Sequence, residues 1–489
     1  MLKKIIVLEY FFCCFLEKYM KYSLEVKNFG KIKDAKVNLS SFTVIAGTNS
    51  SGKSFLSRAL YSFFSTINKN YVSVEYLRLL KPLKNLLRFG FNSVRDPSIK
   101  VINVYNELIK NIIQIEEILT NFDKLPFEEQ NSYKFILSDK FTVVDGHMND
   151  LKKELNGKKK YEDFSERLDA SSRQLKQLKE TLKDSTKFLV DKFSYEFKKN
   201  LQENFQVASL ADLRTYNSKS ENSSFHIDGL GDIQINNESV TFQLKLNGIN
   251  EFQSLYNVVF VESPIYWKLR KPLLEIRQKV STNSIFSFLR DDSELSGIPK
   301  YFYDLIDLLD QDIKRDAVNN DFVDNLLDKI NSELSGELIW TDSGEIYFKD
   351  KNCSKNINLN LTATGVTNLG IVGLLLKRNI ISKGSYVFID EPEVNLHPAW
   401  QKIMIETLYE LSKNGINVVI ATHSIDMIKY IENIMNELSE NEILNHFAIN
   451  RLSNNGVSIS DHLNPIESLI QIKDDLGESF MNMTFESGW

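Results

Sequence analysis

The stretch Gly47-Thr48-Asn49-Ser50-Ser51-Gly52-Lys53-Ser54 has the spacing GxxxxGK[ST]. Each residue type in it suits phosphate chemistry. Glycines let the backbone curl until successive N–H groups point at phosphate oxygens. Lys53 brings a point charge to the β- and γ-phosphates, and the Ser54 hydroxyl reaches Mg2+. A helix opening at Lys53 would aim its positive end at the same oxygens. The expected nucleotide-phosphate contacts are Gly47, Asn49, Ser50, Ser51, Gly52, Lys53, Ser54 and Phe55.

Two further strands end in reactive side chains. Tyr386-Val387-Phe388-Ile389 is an apolar run that delivers Asp390 and Glu391. A buried strand carrying Asp to its edge completes the Mg2+ site of a phosphate-binding loop. A second carboxylate beside it can act as base toward an attacking water. Val418-Val419-Ile420-Ala421-Thr422 is a second apolar run, and His423 follows it. A histidine at a strand end is by itself more often a hydrogen-bonded structural residue. The chain order of loop, acidic strand and histidine strand favours the chemical reading.

The elements needed to position these groups are legible nearby. Tyr22 to Val26, Ala35 to Leu39 and Phe42 to Ala46 read as short strands, and a helical pattern runs from about Lys53 to Ile67. From about 96 to 204 the text is Lys/Glu-rich and helical. Tyr105, Leu108, Ile112, Ile115 and Leu119 follow 3,4 spacing. Leu168, Leu175, Leu178, Leu182 and Leu189 follow a heptad with breaks at Ser171 and Ser185. Those two arms fit an antiparallel coiled-coil hairpin or an ordinary bundle equally well. Residues 225 to 248 alternate as a small antiparallel set, and a hairpin is expected around Asp342-Ser343-Gly344. The alternation of helix and strand after residue 366 implies a parallel sheet.

Composition sets the outer limits. The 489 residues suit two to four domains, or one core with large insertions. A net charge of −6 argues against a globally basic nucleic-acid binder and leaves room for a local basic groove. Cys13, Cys14 and Cys353 form no CxxC pair, which fits a reducing cytoplasm. The apolar opening segment is interrupted by Glu9 and lacks a small-residue cleavage site, so Met20 is the expected start. No membrane partner is expected. His147, His226, His446 and His462 lack metal-ligand spacing, and His397 is placed to cap the helix beginning at Pro398.

Taken together, the motifs resemble the ABC-type ATPase heads of the SMC/RecF/OLD superfamily. EVKNFGKIKDAKVNLSSFTVIAGTNSSGKS is similar to the amino-terminal lobe, FIDEPEVNLHP to Walker B and the D-loop, and ATHS to the switch-histidine segment. The resemblance covers roughly 20 to 65 and 360 to 430. It implies an α/β P-loop NTPase fold: a mixed sheet plus helical lobe, interrupted by a helical insertion that is either a short coiled coil or a bundle. It makes Asp390 the Walker B carboxylate, Glu391 the catalytic base and His423 the γ-phosphate switch, with Lys53 serving the transferred phosphate. The signature segment falls at LTATGVTNLG with Thr364-Gly365 at its centre, acting on the nucleotide of a second head. The Q-loop position falls at Glu262 or Ser263, where the family has Gln.

The expected organisation is a first head segment at 20–95, an insertion at 96–204, head strands at 205–265, a helical lobe at 266–340 and the remaining head at 341–489. The text is similar to ATPase subunits of Septu, retron-associated Septu-like and PARIS anti-phage systems. The stretch after His423 is shorter than the roughly 100 residues a TOPRIM nuclease takes, unlike OLD and Gabija proteins. The resemblance therefore implies slow Mg2+-dependent ATP hydrolysis, self-association through ATP-bridged heads, and a separate nuclease or toxin as effector. The alternative is a RecF/SMC-like clamp that takes DNA by its phosphates. A transporter nucleotide subunit fits worst, because the helical insertion is too long.

Overall fold

The computed structural model describes residues 21–69, 71–122, 127–245, 249–282, 295–311, 320–459 and 464–486. The expected start at Met20, together with Cys13, Cys14 and His462, lies outside them.

Two compact units emerge. The first takes in Met1–Thr66, Glu196–Thr241 and Leu255–Trp489, and the second Ile67–Tyr195 with Phe242–Ser254. In the first unit, strict alternation forms β1 (Tyr22–Phe29) and β2 (Ile32–Leu39). Leu24, Val26, Ala35 and Val37 are buried, while Lys27, Asp34 and Lys36 face outward. β4 (Ser223–Ile227), β5 (Gly231–Ile235) and β6 (Val240–Leu244) extend the same sheet in the order β2-β1-β4-β5-β6. The antiparallel set expected near 225–248 is thus an extension of the amino-terminal hairpin.

The second sheet is parallel, with order β13-β3-β12-β11-β7. Its strands are β3 (Phe42–Ala46), β7 (Val258–Val261), β11 (Tyr386–Asp390), β12 (Asn417–Thr422) and β13 (Phe447–Arg451). β3, β11 and β12 are buried at every position. That is why they read as continuous apolar runs. The third sheet holds β8 (Gly336–Trp340), β9 (Ile346–Asp350) and β10 (Ile357–Asn358). Its β8–β9 turn closes through the Gly344 N–H on the Thr341 carbonyl at 2.8 Å.

α1 (Lys53–Ile67) follows β3 directly. The second unit is built on α2 (Tyr71–Asn92), α3 (Ile99–Phe122), α4 (Phe127–Leu155) and α5 (Glu162–Lys183), with the short α7 (Ile249–Gln253) and the part of α6 (Ser185–Phe205) up to Tyr195. α2 packs on α5, α3 on α4, α4 on α5 and α2 on α3, a ring of four. The bundle, rather than a two-arm coiled coil, is the arrangement found. The heptad-bearing arms α3 and α5 meet across its core, where Tyr105 and Phe164 lie 6.2 Å apart. α2 had no counterpart in the sequence expectation, although Val72, Tyr76, Leu79, Leu80, Leu83 and Leu87 form a buried 3,4 stripe around Pro82. The helical unit therefore begins well before residue 96.

The remaining helices of the first unit are α8 (Ile265–Lys268), α9 (Arg270–Thr282), α10 (Lys300–Asp310), α11 (Asn320–Glu333), α12 (Thr364–Lys377), α13 (Pro398–Lys413), α14 (Ile425–Met435), α15 (Glu440–His446) and α16 (Pro465–Glu486). Among the described residues, no helix is long and apolar enough to cross a membrane.

Candidate functional site

Strand register brings the reactive groups to one edge. Asp390 pairs with Ala421, Ala421 with Ile45, and Ile45 with Asn450. The chain therefore leaves β3, β11 and β12 at the same carboxyl-terminal edge, where ligands sit in open α/β sheets. Gly47 to Gly52 leave from the first strand, Glu391 from the second and His423 from the third.

Within the loop, Ser50 and Gly52 have φ of 63° and 100°. Lys53 is buried, and its Nζ donates to the carbonyl oxygens of Gly47 and Thr48, both at 2.9 Å. Burial lowers the Lys53 pKa, while the charges of Glu391, Asp390 and Glu393 act the other way. The Ser51 hydroxyl is buried without a hydrogen-bond partner. The Phe55 ring packs in an aromatic cluster, 5.1 Å from Phe29 and 4.5 Å from Phe205.

Ser54 Oγ donates to Asp390 Oδ1 at 3.0 Å. Asp390 is nearly fully buried, and that burial, with Glu262 and Glu391 nearby, pushes its carboxyl up to about 7. A buried hydroxyl–carboxylate pair in surplus negative charge fits a divalent cation, which would relieve that surplus. The residues that would hold Mg2+ are Ser54 and Asp390. The Ser51 hydroxyl and Lys53 suit phosphate oxygens.

Glu391 adopts φ 51°, and its N–H bonds the Ala421 carbonyl at 2.8 Å. This turn lifts its carboxylate out of the strand into a half-exposed position. His423 Nδ1 lies 3.4 Å from Glu391 Oε1 and 3.3 Å from Glu393 Oε1, close approaches rather than aligned hydrogen bonds. Glu393, by contrast, is buried. Its Oε1 accepts from Thr422 Oγ1 at 2.8 Å and from the His423 N–H at 3.0 Å. A carboxylate thus fixes the backbone from which the histidine projects.

α12 opens at Thr364, as the signature expectation requires of a helix start. Gly365 meets the loop after Glu391 so closely that a Cβ there would stand 2.7 Å from the Asn395 carbonyl oxygen. Asn368, buried one turn later, donates to the carbonyl oxygens of Pro392 at 3.1 Å and Val394 at 2.9 Å. His397 caps α13 by accepting from the Ala399 N–H at 3.3 Å.

Sequence reasoning missed a clamp beside Asp390. Arg58, one turn beyond Ser54, pairs with Glu262 Oε1 at 2.8 Å, and Tyr301 of α10 hydrogen-bonds the other Glu262 oxygen. The guanidinium lies 5.4 Å from the Phe205 ring and 5.5 Å from the Tyr301 ring. Glu262, one of the two residues expected at the Q-loop position, is tied up in this salt bridge and hydrogen bond. Arg58 and Tyr301 carry no motif, so no local signal identified them. Ser263 only caps the following turn, accepting from the Ile265 N–H at 3.4 Å.

A family described as "AAA ATPase domain" (AAA_15) matches residues 20–428. No curated protein matches the chain. Among solved structures, the chain is similar to an Smc head bound to the C-winged helix domain of ScpA, at 13% identity and TM-score 0.36, over 90% of this chain and 95% of that one. It is also similar to an Smc head domain with an extended coiled coil bound to the C-terminal domain of ScpA, derived from Pyrococcus furiosus, at 12% identity and TM-score 0.35, over 90% and 95%. The SMC head domain from Thermotoga maritima matches at 12% identity and TM-score 0.30, over 84% and 91%.

Proposed function

The chain belongs to the AAA ATPase domain family, and from that membership we propose that it works as an ATP-driven switch whose heads pair over bound nucleotide. It is an ATPase with a P-loop head. The observation that carries the mechanistic reading is the convergence of Lys53, Ser54, Asp390, Glu391 and His423 on one sheet edge.

Lys53 leaves its loop carbonyls for the β- and γ-phosphates. Ser54 and Asp390 would hold Mg2+, which when bound would supply charge neutralisation at the phosphate oxygens. Glu391, half-exposed at the sheet edge, takes a proton from the attacking water. His423, fixed through its own backbone N–H by Glu393, faces the γ-phosphate and reports its loss. Thr364 and Gly365 open α12 toward the nucleotide of a second head.

The biological role follows from the sequence resemblance to anti-phage ATPase subunits. In that role the paired heads scaffold and restrain a separate nuclease or toxin effector, and a phage cue releases it. Native mass spectrometry of the tagged chain co-expressed with its genomic neighbours, with and without ATP, tests this. A stable complex of two or more copies with a nuclease or toxin supports the reading. A lone dimer that forms only with ATP and takes up added DNA replaces it with the clamp.

A further inference from the structure

The turn Ser453 to Val457, between β13 and the segment that follows, has no part in the machinery described above. It lies outside the 20–428 stretch matched by the family. Yet it touches the phosphate-binding loop directly. The Leu452 N–H bonds the Ala46 carbonyl at 2.9 Å, the last residue before the loop. A Cβ at position 47 would stand 2.4 Å from the Leu452 carbonyl oxygen, so this approach admits only glycine. Two residues on, Asn454 Oδ1 accepts a hydrogen bond from Thr48 Oγ1.

The same turn is locked to the β1–β2 turn and the start of β2. The Gly456 carbonyl accepts from the Lys33 N–H at 2.7 Å and the Asp34 N–H at 3.3 Å, and the Ser458 N–H returns to the Asp34 carbonyl at 3.2 Å. Gly456 passes so near that a Cβ would fall 1.8 Å from the Lys31 carbonyl oxygen. The β1–β2 turn in its own right reaches the far end of the phosphate loop, where Ile32 Cδ1 lies 2.8 Å from a Cβ built at position 52. Two turns distant in sequence thus hold the loop at both ends and are hydrogen-bonded to each other.

We infer that Asn454 is a positioning residue of the nucleotide site, which sets the path of the phosphate-binding loop by holding the Thr48 side chain. The reasoning runs through Thr48. Its backbone carbonyl is one of the two that hold Lys53 Nζ. Its side chain is the part of the early loop that the 453–457 turn holds. Fixing that side chain fixes the peptide on which Lys53 rests and the direction of the N–H groups that follow. Preorganised donors cost no rearrangement when phosphate arrives, whereas a loose loop must be ordered at binding. Losing the Thr48–Asn454 bond should weaken ground-state binding of MgATP and leave the chemical step, served by Glu391, intact. The inference rests on the ATP-site reading and deepens it.

The test is steady-state MgATP hydrolysis with the full chain, together with equilibrium binding of a fluorescent ATP analogue. The variants are Asn454→Ala, Thr48→Ala, the double variant, and Thr48→Ser, which keeps the hydroxyl. Lys53→Ala serves as the control on the site itself. Asn454→Ala and Thr48→Ala should each raise KM and the analogue Kd roughly three- to tenfold with kcat unchanged, the scale of one lost hydrogen bond. The double variant should be no worse than either single one, because both remove the same bond. Thr48→Ser should bind as the native chain does. Unchanged KM in Asn454→Ala, or additive losses in the double variant, overturns the inference while loss of binding in Lys53→Ala leaves the ATP site standing. Full binding by Lys53→Ala would instead remove the ATP-site reading. Where Asn454→Ala lowers yield, the Thr48→Ala and Thr48→Ser pair decides: raised KM in the first with native KM in the second supports the bond, and native KM in both overturns it.

Discussion

Asn368 donates to the Val394 carbonyl oxygen at 2.9 Å, and through this bond the helix that opens at Thr364 is tied to the loop that follows Glu391. The two segments proposed to face a second head are therefore one mechanical piece. A displacement of the Glu391 loop carries the start of α12 with it.

Asn368→Ala should break that piece apart. It leaves the Pro392 and Val394 carbonyls without their buried donor, a cost of about 1–3 kcal/mol. Asn368→Asp should cost more, because a carboxylate would face the two carbonyls. Chemical denaturation reads the stability loss. ATP-dependent head pairing, followed by light scattering, should fall in both variants, and pairing at the native level would show that the two segments do not act together.

Glu391→Gln should bind ATP with near-native affinity and hydrolyse it at least a hundredfold more slowly, since general-base contributions run to about 10²–10⁴. The ATP-bound species should accumulate as a dimer in native mass spectrometry. Hydrolysis at the native rate would remove Glu391 from the base role.

Substitution at the start of α12 should separate hydrolysis from binding. Gly365→Ala drives a Cβ to 2.7 Å from the Asn395 carbonyl, and Thr364→Val removes a hydroxyl without adding bulk. Both should depress turnover more than tenfold while equilibrium nucleotide binding persists. Equal loss of turnover and binding would place these residues at the chain's own nucleotide and end their assignment to a partner's.

His446 supplies a pH dependence of stability. It is buried, with Nε2 2.7 Å from Ser412 Oγ. Burial, then the charge of Lys413, lowers its pKa to about 4. A histidine depressed in the fold binds its proton more readily when unfolded, so its contribution is full above the unfolded value near 6.5 and is lost as pH falls toward 4. The native chain should lose roughly 2–3 kcal/mol across that window from this group. His446→Gln should lose less over the same range. Urea denaturation at pH 7, 5.5 and 4.5 makes the comparison, and parallel losses in both chains would contradict it.

The parts of the site legible in the sequence are those written locally. The phosphate loop, the strand to Asp390 and the strand to His423 each combine an apolar run with its reactive residue within about ten positions. What escaped was written across long separations. Arg58, Glu262 and Tyr301 come from three distant segments and meet only in the folded sheet. β13 is five residues long with an ordinary apolar pattern, and only its pairing with β3 makes it part of the site. α2 was hidden differently: its apolar stripe is regular, but Pro82 interrupts the helical text. The heptads of α3 and α5 marked buried faces correctly and left the partner of each face open, because a stripe says what is covered and not by what.

The strand order has a consequence for synthesis. β3, which carries the phosphate loop, pairs with β12 and β13 on its two sides. A hydrogen bond from the Asn38 N–H to the Asn450 side chain, across 412 residues, measures the wait between the appearance of the first strands and the arrival of their neighbour. At about 5–20 residues per second the ribosome needs roughly 20–80 s to cover it. The helical bundle, complete within Ile67–Ser254, has all its partners long before then. During translation the chain therefore carries the helical bundle ahead of an ATPase sheet in which β3 still lacks both of its neighbours. The nucleotide site cannot close until β12 and β13 have both been made, long after the strand that carries its loop.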